Sequence, residues 1–126
     1  MKKILCGLVM LAVLAVGGVG AEKAKPKTIK EIMKEGHTGE PALCAKASKG
    51  EASKDEAAKL VSLYEDLAVS KPPQGNPNRW KTKTTALVDA TKKLASDPAN
   101  EDAVAGFKKA VNCAGCHGEY KPKKPK

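Results

Sequence analysis

The sequence predicts an all-α fold, an antiparallel four-helix bundle. Three observations point to it. No segment alternates apolar and polar residues with the period of two that a half-buried strand needs. Four segments beyond residue 21 instead repeat apolar residues at spacings of three and four. The connections between them are short except one, which favours antiparallel neighbours.

The chain opens "MKKILCGLVMLAVLAVGGVGAEKAK": two lysines, an apolar run from Ile4 to about Val16, then small residues ending at Ala21. That order is the pattern of a secretory signal, with the cut expected after Ala21. Cys6 would leave with it. The run is too short and too glycine-rich at its end for a convincing span, so no stable membrane insertion is expected; an uncleaved signal anchor is the alternative. The expected organisation is therefore a signal peptide over 1–21 and one domain over 22–126 with short basic tails, located in a periplasm or otherwise exported.

Helix A opens at Thr28-Ile29-Lys30-Glu31, a capping box, and Ile29, Ile32 and Met33 form its apolar stripe. Gly36, Gly39 and Pro41 should end or bend it, ahead of a short piece around 42–49. Ser53-Lys54-Asp55-Glu56 is a second capping box, opening helix B, whose Leu60, Leu63, Tyr64 and Leu67 share a face through about Ser70. "KPPQGNPN" forbids a continuous helix and makes the long connection. Helix C follows from about Asn78 to Ser96 on the seam Trp80, Thr84, Leu87, Thr91 and Leu94. For helix D, Asp97-Pro98 offers an N-cap residue and a first-turn proline, and the helix is expected to run on through Phe107 and Val111 to "CAGCH".

Composition restricts the function classes. The chain carries 23 Lys and Arg against 14 Asp and Glu, a net charge of +9, which becomes +7 without Lys2 and Lys3. The excess lies at Lys23, Lys25, Lys27 and Lys30 and at Lys121, Lys123, Lys124 and Lys126, in Lys/Pro runs typical of solvated tails. Exported lysines without interleaved arginines or aromatics argue against nucleic acid and leave an acidic redox partner or an anionic surface as what they could meet. Beyond the leader the only aromatics are Trp80, Phe107, Tyr64 and Tyr120. That is little for a core, and consistent with a large buried cofactor.

Cys113-Ala-Gly-Cys116-His117 is the Cys-x-x-Cys-His pattern of covalent c-type haem attachment. On a helix the three side chains project from one side, so that two thiols can add to the haem vinyl groups while the neutral imidazole reaches the iron. Ala114 and Gly115 are small enough to let a flat ring lie close, and Phe107 and Val111 are placed to pack on it. Three readings compete with haem. A redox-active dithiol would be expected after a strand, and none is predicted. Zinc could be held by Cys113, Cys116, Cys44 and a histidine, and a plain disulfide would suit an exported chain. Beyond the leader the chain has one other histidine, His37, and one methionine, Met33, both upstream of the motif. The sixth iron ligand is therefore Met33 on the helix A stripe, His37 one turn further on, or nothing. Cys44 is expected to be a small buried apolar residue.

A Cys-x-x-Cys-His at the end of the last helix of an exported four-helix bundle of this length resembles the cytochrome c-prime family, the class II c-type cytochromes. The stretch "TIKEIMKEGH" is similar to the first helix of its low-spin members, in which a methionine at this place binds the iron. The resemblance implies Met33 as a ligand, Lys30 in place of a basic residue that members carry before it, and a homodimer as a frequent assembly. The expected function is a monohaem electron carrier, with haem c on Cys113 and Cys116, iron held by His117 and Met33, and a redox protein with an acidic docking face as partner. The alternative is a five-coordinate cytochrome that binds nitric oxide or carbon monoxide. No second constellation of acid, base or nucleophile accompanies the haem motif, so an enzyme is not expected.

Overall fold

The computed structural model describes residues 24–125. The expected leader over 1–21, with Cys6 and the cleavage point after Ala21, lies outside the described residues. Those residues are all-α: α1 (Ile29–His37), α2 (Leu43–Ser48), α3 (Lys54–Val69), α4 (Pro77–Ser96), α5 (Glu101–Ala110) and α6 (Cys113–Tyr120), with no strand among them. None of these helices is long and apolar enough to cross a membrane.

Both capping boxes form. The Thr28 hydroxyl accepts the Glu31 N–H at 3.3 Å, and the Glu31 carboxylate accepts the Thr28 N–H at 2.7 Å. Ser53 and Glu56 repeat the exchange at 3.1 and 2.9 Å at the start of α3. Each satisfies orphan donors that would otherwise fray the first turn. Helix α1 does not stop at Gly36; it continues to His37 with Gly36 buried. A Cβ at Gly36 would stand 3.3 Å from Leu63, so the glycine serves the close approach of α1 to α3 rather than termination.

Helices α3 and α4 form the most extensive packing pair. They run antiparallel, because Glu65 meets Lys92 at 2.9 Å while Ser70, further along α3, accepts the Trp80 Nε1–H at 2.9 Å near the start of α4. The expected seam of α4 is buried throughout. Its two threonines tolerate burial because their hydroxyls donate to carbonyls one turn back, Thr84 to Trp80 at 2.9 Å and Thr91 to Leu87 at 2.6 Å. Helix α5 packs on α4 and α2, and α1 on α3 and α2. At the centre, Tyr64 and Phe107 are fully buried against each other, with ring centroids 6.3 Å apart.

Two expectations about helix D need correction. Asp97 is the C-cap of α4, its N–H still bonded to the Lys93 carbonyl; the N-cap of the next helix is Asn100, whose side chain accepts the Ala103 N–H at 2.9 Å. The helix is also not continuous into the Cys-x-x-Cys-His motif. It ends at Ala110, Val111 leaves helical backbone (φ −78°, ψ 49°), and α6 starts afresh at Cys113. The cause is Asn112, whose carboxamide accepts the Gly115 N–H at 2.9 Å and so offers the backbone a new cap in place of helix continuation. Gly115 makes this bond feasible, since a Cβ there would lie 2.8 Å from the Asn112 amide.

The core assignment makes a contrast that denaturant unfolding can check. Leu60→Ala, at a fully buried position on α3, should lose about 2–5 kcal/mol. Val69→Ala, 70% exposed on the same helix, should change stability by less than about 0.5 kcal/mol.

Candidate functional site

Helix α6 is short, and its far end is pinned. Tyr120 is buried edge-on against Trp80, with centroids 4.9 Å apart. Gly75 supports it from the α3–α4 connection in a left-handed conformation (φ 85°); a Cβ there would meet the Tyr120 ring at 2.8 Å. The Gln74 amide donates to the Glu119 and Lys121 carbonyls at 3.2 and 3.1 Å. The Glu119 carboxylate pairs with Lys83 at 3.0 Å and with Arg79 at 3.5 Å, and the Lys83 bond holds that carboxyl below its ordinary range. Tyr120 lies one turn beyond Cys116 and His117 on the same side of the helix, so fixing it also fixes which way those two face.

They face a cavity of about 550 Å³, lined by α1, α3, α4, the stretch from Ala110 to Tyr120 and the residues just after it. This is the middle of the range for sites that enclose a small organic molecule. Cys113, Cys116 and His117 line it from α6, and Met33 and His37 from α1. Leu67, Leu87 and Trp80 supply much of the apolar wall. Helices α1 and α6 form no packed interface with each other; the cavity separates them. Phe107, expected to pack on a ring held here, does not line the cavity and belongs to the core with Tyr64. Val111 does line it.

The candidate ligands differ in what their donor atoms are already doing. His37, expected at or beyond the helix end, is the half-buried last residue of α1. Its Nε2 lies 3.0 Å from the hydroxyl of the fully buried Tyr64. Burial pushes that hydroxyl far above its ordinary range, so it keeps its proton. Burial, and after it the electrostatic influence of His117, holds His37 below its ordinary value and so favours the neutral ring. Tyr64 has no other partner among the described residues, so its O–H donates to Nε2, whose lone pair is thereby occupied. Releasing it would orphan a buried hydroxyl at a cost of about 1–3 kcal/mol. Met33 is half-buried on the cavity wall with its thioether uncommitted.

Tyr64 and Tyr120 were not singled out as site residues from the sequence. Tyr64 read as one more seam position, and nothing in periodicity reveals where a phenol hydroxyl points. For Tyr120 a signal existed: its spacing of three and four from His117 and Cys116 places it on their side of α6.

A haem fits these residues on several counts. The lining is mainly apolar, yet Lys30, Lys83 and Lys121 border it, which suits an apolar ring bearing carboxylates. Tyr120, also on the lining, has a buried hydroxyl with no partner among the described residues, the kind of donor that a bound acceptor would complete. Haem iron draws four nitrogens from its own ring and needs only axial donors from the protein. No group of three His, Cys, Asp or Glu side chains able to hold a metal occurs among the described residues, so Cys113, Cys116, Cys44 and a histidine are not arranged as a tetrahedral zinc site. The thiols of Cys44, Cys113 and Cys116 are all free. Cys44 is half-buried on the cavity wall rather than fully buried, and burial pushes its thiol up, as it does that of Cys116. Comparison with protein-family models, curated proteins and solved structures returned no match.

The His37 environment predicts a pH dependence. In the unfolded chain His37 takes up its proton near the ordinary value of 6.5, whereas the folded protein takes it up only at lower pH. The associated stability is fully present above that value and is lost as pH falls below it. Denaturant titrations between about pH 7.5 and 5.5 should therefore show a decline that His37→Gln flattens. Equal slopes for the two proteins would contradict the assignment.

Proposed function

We propose that this chain is an exported monohaem c-type electron carrier. Its α1, α3, α4 and broken α5–α6 pair serve as the four helices of a bundle that carries haem c on Cys113 and Cys116. His117 is the proximal iron ligand and Met33 the sixth. The observation that carries this reading is that Met33 and Cys113, Cys116 and His117, distant in sequence, line one largely apolar cavity while the competing imidazole of His37 is engaged by Tyr64.

Haem, when bound, supplies a one-electron Fe(III)/Fe(II) couple whose potential depends on axial ligands, burial and nearby charge. The chain's own residues do the rest. Two thioethers from Cys113 and Cys116 prevent loss of the ring. His117 contributes a neutral imidazole and Met33 a soft thioether, a pair that raises the potential relative to two histidines. Leu67, Leu87 and Trp80 would keep water from the ring, and Lys30 and the Tyr120 hydroxyl would offer positive charge and a donor to its carboxylates, Lys83 being already paired with Glu119. The partner is a redox protein with an acidic face, met by the exposed lysines 25, 121, 123 and 124.

Optical spectra of the protein matured in a host that assembles c-type cytochromes test this. The reduced form should be low-spin and unchanged by carbon monoxide, and the oxidised form should show the weak sulfur-to-iron band in the far red. Met33→Ala should lose that band, turn the iron high-spin and admit carbon monoxide. A parent already high-spin and shifted by carbon monoxide would favour gas binding, and absence of Soret absorption would overturn the haem reading.

A further inference from the structure

We propose that Tyr64 selects the sixth ligand of the iron: its hydroxyl holds the Nε2 of His37 and leaves Met33 as the available donor. The inference rests on the haem reading above and adds a residue that touches neither iron nor ring. Met33 and His37 stand four residues apart on α1, on one side of the helix, and both line the cavity. An imidazole is the commonest metal ligand in proteins, so an unrestrained His37 would compete with the thioether for the iron.

Tyr64 is built to apply the restraint. It sits in the middle of α3 with no exposed surface, its ring packed against Phe107 on one side and meeting the His37 imidazole edge-on at 5.7 Å. A side chain so enclosed cannot swing its hydroxyl elsewhere, and among the described residues the hydroxyl has only the His37 nitrogen, 3.0 Å away. The O–H donates, the lone pair of Nε2 accepts, and the ring proton resides on Nδ1. In that state His37 presents no free lone pair to a metal. Gly36 contributes by letting α1 approach α3 closely enough for the bond to form, since any side chain there would press on Leu63. Tyr64 is thus a positioning residue acting through His37.

Tyr64→Phe keeps the ring and removes only the hydroxyl, so its spectrum reports the restraint alone. With the haem-loaded proteins, the parent should show the far-red sulfur-to-iron band. In Tyr64→Phe that band should fall by more than half while the iron stays low-spin and closed to carbon monoxide, and the reduction potential should drop, as exchange of Met for His ligation requires. The double variant Tyr64→Phe/His37→Ala should regain the band, because the competitor is gone. A band at parent intensity in Tyr64→Phe would overturn the proposal. So would a lost band that the double variant fails to restore, or one accompanied by high-spin iron open to carbon monoxide, since either means that Tyr64 only supports packing. A parent that carries haem but lacks the band, or carries none, would overturn the underlying reading and this inference with it.

Discussion

An apolar cavity that none of the described residues fills is the constraint on which the rest of this structure depends. Protein interiors pack to crystal-like density, and wall atoms facing empty space forfeit dispersion contacts. Here the large side chains are spent elsewhere: Tyr64 and Phe107 close the centre, and Trp80 and Tyr120 pack on each other at one end. What remains between α1 and α6 is about 550 Å³ bordered by leucines, a methionine and the cysteine pair. A flat apolar group tied to those cysteines would replace the missing contacts, and its attachment would then be coupled to folding.

The same constraint explains why α6 exists as a separate helix. A continuous α5 would carry the cysteines onward along its own axis. The Asn112 cap ends that course, and the pairing of Tyr120 with Trp80, of Glu119 with Lys83 and Arg79, and of Gln74 with the α6 carbonyls sets the new direction. These contacts come from α4 and the α3–α4 connection, so the long loop, rich in proline and glycine, serves as a brace for α6. Under the proposed function, such a frame would keep reorganisation between oxidation states small.

Much of the fold was legible because it rests on local signals. Thr28 with Glu31 and Ser53 with Glu56 announce their helices through short-range chemistry, and the spacing of Trp80, Thr84, Leu87, Thr91 and Leu94 is the spacing of a buried helical face. The departures arose where two local signals competed. Asp97 and Asn100 are both good caps, and the carbonyl of Lys93 kept Asp97 for the preceding helix. Asn112 could have sat within a helix, and only the room left by Gly115 turned it into a cap. At the site, the motif spacing and the scarcity of other donors singled out Cys113, Cys116, His117, Met33 and His37, and the structure brings all five to one cavity. The Tyr64–His37 bond was not legible, because it joins residues 27 positions apart through a hydroxyl whose direction depends on how α1 docks on α3.

The central claim is that the cavity holds a haem bound covalently through Cys113 and Cys116. Mass spectrometry of the intact chain, matured in a host competent for c-type cytochromes and measured under denaturing, reducing conditions, tests it most directly. One species heavier than the leader-free polypeptide by a single haem is expected, with the added mass falling in the peptide that contains Cys113 and Cys116. A bare polypeptide carrying three alkylatable thiols, Cys44, Cys113 and Cys116, would contradict it.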